Sequence, residues 1–136
     1  MDKFIDNLGL ITGFEDKTGQ TDATGAGLAA GATTRLVQFY AQASRVCIIT
    51  GLGVQQDPAG DGYITFQLVV NGVPLYPYDR IQSQIATLAQ PSDVHLPIPP
   101  GSKVEIWATN THATSAFQCA ARVRAEYRDF QRPSRV

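Results

Sequence analysis

A chain of 136 residues with 43% apolar side chains is the right size for one domain built on a single core. Its formal charge of −1 excludes recruitment of nucleic acid or an anionic membrane by the field of the whole molecule, and a charged fraction of 17%, below the usual ~25%, suits a surface covered by association. No apolar run approaches the ~20 residues of a membrane span and no basic stretch leads into a signal-peptide-like apolar segment, so folding in a cytoplasm is expected.

Residues 1–32 read as an extended N-terminal arm. The stretch DKFIDNLGLITGF carries Phe4, Ile5, Leu8, Leu10, Ile11 and Phe14, too apolar a set for a solvated tail and too irregular for a further core strand. These six are expected to be buried against a neighbour. KTGQTDATGAGLAAGATT, residues 17–34, follows neither the 3.6 nor the 2 period and offers few side chains large enough to anchor it.

From residue 33 to 130 the pattern is β throughout. TRLVQFYAQA (34–43), RVCIITGLGVQQ (45–56), YITFQLVV (63–70), VPLYPY (73–78), RIQSQIATL (80–88), DVHLPI (93–98), KVEIWATN (103–110) and SAFQCAARVRAEYRDF (115–130) are separated by turn residues. Ile64, Phe66, Leu68 and Val70 share one face of the third; Phe117, Cys119, Ala121, Val123, Ala125 and Tyr127 share one face of the last. One buried face per strand implies an all-β, eight-stranded antiparallel β-sandwich, and the number suits a jelly roll of two four-stranded sheets. An immunoglobulin-like sandwich fits less well, because Trp107 lies just before Cys119 instead of following Cys47 at the expected strand. Residues 131–136 form a short C-terminal tail.

Asn71-Gly72 is a two-residue hairpin signal, yet its returning arm carries Pro74 and Pro77, which have no N–H to give to a ladder. Either the prolines blunt a sheet edge, or Leu75, Tyr76 and Tyr78 meet a partner subunit through their side chains.

Residues for catalysis are scarce, and the expectation is a protein that is not an enzyme and needs no cofactor or metal. His95 and His112 stand apart, with only Asp93 near the first. GAGLAAG (25–31) has GxGxxxG spacing, follows no strand and opens no helix, so it is not a phosphate loop. Asp57 and Asp61 share a turn but supply two carboxylates where calcium needs about 6–8 oxygens. Cys47 and Cys119 sit in apolar runs, as small buried hydrophobes do. Arg122, Arg124 and Arg128 line one face of the last strand, with Arg132 and Arg135 beyond it. They are either a solvated face or a subunit contact, and the acidic residues of 1–34 could pair with them within or between subunits.

An apolar arm, a β body, few charges and the segments VVNGVPLYPYDRI, DVHLPIPPGSKVEIWATNT and AARVRAEY together give a chain that resembles the small jelly-roll decoration, or cement, proteins of tailed-bacteriophage capsids. The resemblance covers roughly residues 33–130. It implies a structural virion protein on the capsid exterior that binds the major capsid protein and itself, as a homodimer or homotrimer, and stabilises contacts between capsomers. It implies no catalytic residues, and no nucleic acid or membrane partner. A carbohydrate- or receptor-binding β-sandwich such as a phage fibre head, using Trp107, Tyr76 and Tyr78, is the alternative.

Overall fold

The structure, a computed structural model, describes residues 11–22, 24–81 and 91–129. Its strands are β1 (Ile11–Gln20), β2 (Thr33–Tyr40), β3 (Val46–Gln56), β4 (Ile64–Val70), β5 (Val73–Pro74), β6 (Ser92–Ile98), β7 (Lys103–Asn110) and β8 (Cys119–Arg128). They form two four-stranded antiparallel sheets, in the orders β1-β8-β3-β6 and β2-β7-β4-β5. Among the described residues no helix is long and apolar enough to cross a membrane.

Period-two alternation builds the core. The expected inward faces of β4 and β8 are buried, and they join Val37 and Phe39 of β2, Ile49, Leu52 and Val54 of β3, and Val104 and Ile106 of β7 in one cluster shared by both sheets. Cys47 and Cys119 belong to the same cluster, 0% and 3% exposed, as the sequence suggests. Burial, aided by Glu15 for the first and Asp57 for the second, pushes each thiol up to about 11.

The arm reading needs correction over residues 11–32. Residues 11–20 are an edge strand paired along β8, and the body therefore starts well before residue 33. The pairing puts Gly13, Glu15, Lys17 and Gly19 on the inward side, opposite Tyr127, Ala125, Val123 and Ala121, while Phe14 and Asp16 face out with Glu126 and Arg124. A register shift at Ile11/Gly13 adds to the irregularity. Hydrophobic alternation cannot reveal such a strand, because its inward row is small or polar. Small residues are required there: a Cβ on Gly19 would stand 1.6 Å from the carbonyl oxygen of Leu36, where β1 crosses β2. Further on, Leu28 is 6% exposed and bridges Phe117, donating its N–H at 2.8 Å and accepting that of Phe117 at 3.2 Å. Gly27, at φ +97°, brings the chain against the Phe117 backbone so closely that no side chain fits.

Asn110, 0% exposed, fixes this corner. Its amide donates to the carbonyls of Leu28 and Ser115, both at 2.9 Å, and its oxygen accepts the His112 N–H at 2.9 Å. All three of these bonds go to backbone, which holds three segments together.

Asn71 and Gly72, at φ 52° and 80°, make the expected hairpin turn. The arm it starts is shorter than the 73–78 expected: β5 covers two residues, and the chain then returns to β4 through Leu68 N–H to Tyr78 and a reciprocal Phe66–Ile81 pair. Pro74 and Pro77 thus lie along a sheet edge, as the blunted-edge reading requires. The strand expected over 80–88 lies, from residue 82 on, outside the described residues.

Two outcomes test this packing. Gly19→Ala pushes a methyl group into backbone, so it should destabilise by about 1–3 kcal/mol or more, seen as a lowered urea midpoint. Both thiols should resist iodoacetamide at pH 8 in the native protein and react fully in denaturant; modification at native rates comparable to a free thiol would contradict their burial.

Candidate functional site

The outer face of the β1-β8-β3-β6 sheet gathers most of the described residues expected to make contacts. Strand register places Ile11 opposite Arg128, Phe14 opposite Glu126, Asp16 opposite Arg124 and Thr18 opposite Arg122. Across β8, Glu126 faces Ile48, and Ile48 faces Pro97 of β6. One cross-sheet row therefore reads Phe14, Glu126, Ile48, Pro97. Phe14 is 75% exposed and Ile11 44%, large apolar side chains on an edge strand next to ion pairs. Phe4, Ile5, Leu8 and Leu10 precede them in the chain and lie outside the described residues, as do Arg132 and Arg135.

The arginines of β8 face outward as alternation requires, but two of them are engaged within the chain. Arg122 grips Asp16 with both prongs, Nε to Oδ1 at 2.9 Å and Nη2 to Oδ2 at 2.6 Å. Hydrogen bonding from Arg122, supported by the charges of Arg122 and Arg124 against a smaller desolvation cost, holds the Asp16 carboxyl below the usual range. Arg128 donates Nε and Nη2 to Glu126 Oε1 at 3.0 and 2.8 Å. Arg124 lies across Gly51 of β3, where a Cβ would come within 2.8 Å of its Nε. Of the two pairings the sequence left open, within or between subunits, the Asp16–Arg122 pair takes the first.

At one end of this face Ala120 stands between Gln20 and Gln55, a short side chain between two long ones, and the Asp57–Pro58 turn closes a shallow pocket of about 310 Å³. Gln118 ties the turn down. Its side chain donates to the carbonyls of Asp22 and Gly25 and accepts from Thr21, while its backbone N–H donates to Asp57 Oδ2 at 2.9 Å. Asp61 accepts from Gln56 at 3.2 Å. Both carboxylates of the 57–62 turn are thus occupied in holding the turn.

Leu75, Tyr76 and Tyr78 do not join this face. They flank β4 at the edge of the other sheet, Leu75 and Tyr78 half-buried and Tyr76 87% exposed. His112 has a local role: its Nδ1 accepts the N–H groups of Thr114 and Ser115, and its ring packs edge-on against Tyr63 and Phe117. His95 is exposed on β6. Among the described residues no three His, Cys, Asp or Glu side chains come together as a metal site.

The residue that sequence reasoning missed is Gly51, and among the acidic residues of 1–34 expected to pair with the arginines it did not single out Asp16. A glycine inside a strand was the available signal for Gly51, since it marks a close approach by another group; which acid meets which arginine depended on the β1·β8 register.

These features define an all-β, sandwich-like protein of two four-stranded antiparallel sheets. No family model and no curated protein matches the chain. The crystal structure of dimeric latent PorU from Porphyromonas gingivalis aligns over 90% of this chain at 12% identity with a TM-score of 0.43, and the chain spans 13% of the PorU chain. A likeness of that degree carries no inference about function.

The Asp16–Arg122 pair has a signature in pH. Because the folded pKa of Asp16 lies below its ordinary value of 3.8, the pair's stabilisation is complete above that value and is lost as pH falls through the lower, folded pKa. Asp16→Asn should therefore lower the melting temperature slightly at pH 7 and leave it unchanged in strong acid. An equal loss at both pH values would mean that the carboxylate charge is not what stabilises.

Proposed function

We propose that this chain is a structural assembly protein, a jelly-roll decoration protein that attaches to the outside of a bacteriophage capsid shell and associates with copies of itself. The observation that carries the reading is the pair of exposed apolar side chains, Ile11 and Phe14, on the outer face of an edge strand. Covering Phe14 would contribute up to about 1.5–3 kcal/mol and covering Ile11, already more than half covered, about half of that, before ordering costs. In the sequence Phe4, Ile5, Leu8 and Leu10 come just before this strand and extend the apolar set.

Strand connectivity supports the jelly-roll part of the reading. The pairs β1·β8, β2·β7, β3·β6 and β4·β5 are nested like one long hairpin, and successive pairs alternate between the two sheets. Rolling such a hairpin gives two Greek keys. The arginine row of β8 supplies polar groups around the apolar pair, and the Asp16–Arg122 and Arg128–Glu126 bonds hold those groups in fixed directions, which favours choice of partner over fold stability. The role assigned is binding, on the virion exterior, with no catalytic step.

The edge position of β1 decides how the proposal is tested. A chain beginning at Ile11 keeps every described strand, whereas one beginning at Thr33 would strip β8 of a neighbour. The shortened chain, and Ile11→Ser with Phe14→Ser in the full chain, should melt as the parent does but sediment as smaller species and fail to co-sediment with capsid shells. A full-length monomer that binds no shell, or a truncated chain that binds as well as the parent, overturns the reading.

A further inference from the structure

The outer face of the β2-β7-β4-β5 sheet takes no part in the attachment just described. Pairing sets its side chains in cross-strand rows, and the central row is Arg35, Trp107, Gln67, with Gln38 and Glu105 in the next. Trp107, the sole tryptophan of the chain, is half-buried with a strand on either side. The Arg35 guanidinium stands 6.0 Å from its ring centroid and donates to Glu105 Oε2 at 3.3 Å. Lys103 places its ammonium 3.7 Å from the same oxygen. The Glu105 side chain is 7% exposed, those of Arg35 and Lys103 42% and 35%. One sunken carboxylate thus serves two cations that reach solvent, and a positive charge is left over beside the indole.

The chemistry of this face selects its occupant. Protein interfaces lose charged residues at their centres, yet here a guanidinium stands over the one indole and shares its carboxylate with a second cation. Nucleic acid needs a broader basic surface than a single surplus charge. A pyranose ring fits better. Its C–H face stacks on an indole, and its neighbouring hydroxyls, each both donor and acceptor, match planar guanidinium and carboxamide groups on either side of the ring. A carboxylate on the sugar would meet the surplus cation in the paired geometry that guanidinium favours.

We propose that the outer face of the β2-β7-β4-β5 sheet binds an acidic saccharide, with the sugar ring on Trp107, its carboxylate at Arg35 and Lys103, and its hydroxyls at Gln67 and Gln38. The Leu75–Tyr78 segment runs beside Leu68, next to Gln67, and Tyr76 within it is 87% exposed, a second aromatic surface near β4 for a longer chain. Attachment through the opposite sheet would leave this face turned away from the contact.

The test is direct because tryptophan fluorescence reports Trp107 alone. The full chain is titrated with tetragalacturonate, with 3′-sialyllactose and with maltotetraose as the neutral comparison, and affinities are checked by calorimetry. A saturable change with at least one acidic saccharide is expected, about ten-fold tighter than with maltotetraose. Tetragalacturonate binding would assign a uronic acid, 3′-sialyllactose binding a sialic acid. Arg35→Gln should abolish the preference for acidic over neutral saccharide, and Gln67→Ala should weaken acidic binding several-fold, each measured well below that variant's melting temperature. Absence of saturation with both acidic saccharides up to about 10 mM, or equal affinity for maltotetraose, overturns the proposal. Self-association that Trp107→Ala abolishes does so too, since it would assign the face to a second copy.

Discussion

Strand β8 sets the constraint on which the rest of the molecule depends. It lies between β1 and β3, with Cys119, Ala121, Val123, Ala125 and Tyr127 in the core and Arg122, Arg124, Glu126 and Arg128 outside. A slip of one residue would turn four charges inward, each at a desolvation cost of several kcal/mol. The register of β8 is therefore set by its own alternation, and both neighbours inherit it. Asp16 comes within reach of Arg122 and Gly51 passes beneath Arg124 because β1 and β3 are aligned to a strand that cannot shift.

Closure of the sandwich imposes a second, steric demand, and it acts on the residues that contribute least to hydrophobic patterning. β1 crosses β2 at Gly19, and the 27–28 segment crosses Phe117 at Gly27, so at both places backbone meets backbone. Tyr127 shows what fills the space near β1. It is fully buried, and its hydroxyl donates to Glu15 Oε1 at 3.2 Å; burial first, then the neighbouring Cys47 and Glu15, pushes its pKa up to about 12. A large residue on the central strand thus makes up for small and polar ones on the edge strand.

The two outer faces that result differ in chemistry. One presents exposed apolar side chains next to arginines already held by carboxylates, and the other a single indole among planar polar groups with one cation in surplus. A sandwich lets both exist in a small chain because the faces point away from each other and share only the core. The proposed attachment on one side and the proposed ligand binding on the other would then make no conflicting demands on any residue.

Amphipathic alternation made the two faces of β4 and β8 legible, down to which arginines face out, because inward and outward residues there differ sharply in polarity; the strand expected over 115–130 is shorter, Cys119–Arg128. The Asn71-Gly72 turn and the proline-blunted edge were legible for a similarly local reason, since φ preference and a missing N–H belong to single residues. β1 was not: Gly13, Glu15, Lys17 and Gly19 face inward because Tyr127 and the β2 backbone already fill that space, a fact about residues more than 100 positions away in the case of Tyr127. The same holds for Leu28 and Asn110, whose roles arise from segments that meet only in the folded chain. The candidate contact residues were recognisable as types, apolar side chains at the N-terminal end and arginines on the last strand. Their grouping on one face, and the placing of Tyr76 and Trp107 with the other sheet, were decided by sheet order. Sequence alone determined which residues must be hidden from water, because that is a property of each side chain; tertiary structure decided which exposed residues stand side by side, because that depends on how distant strands pair.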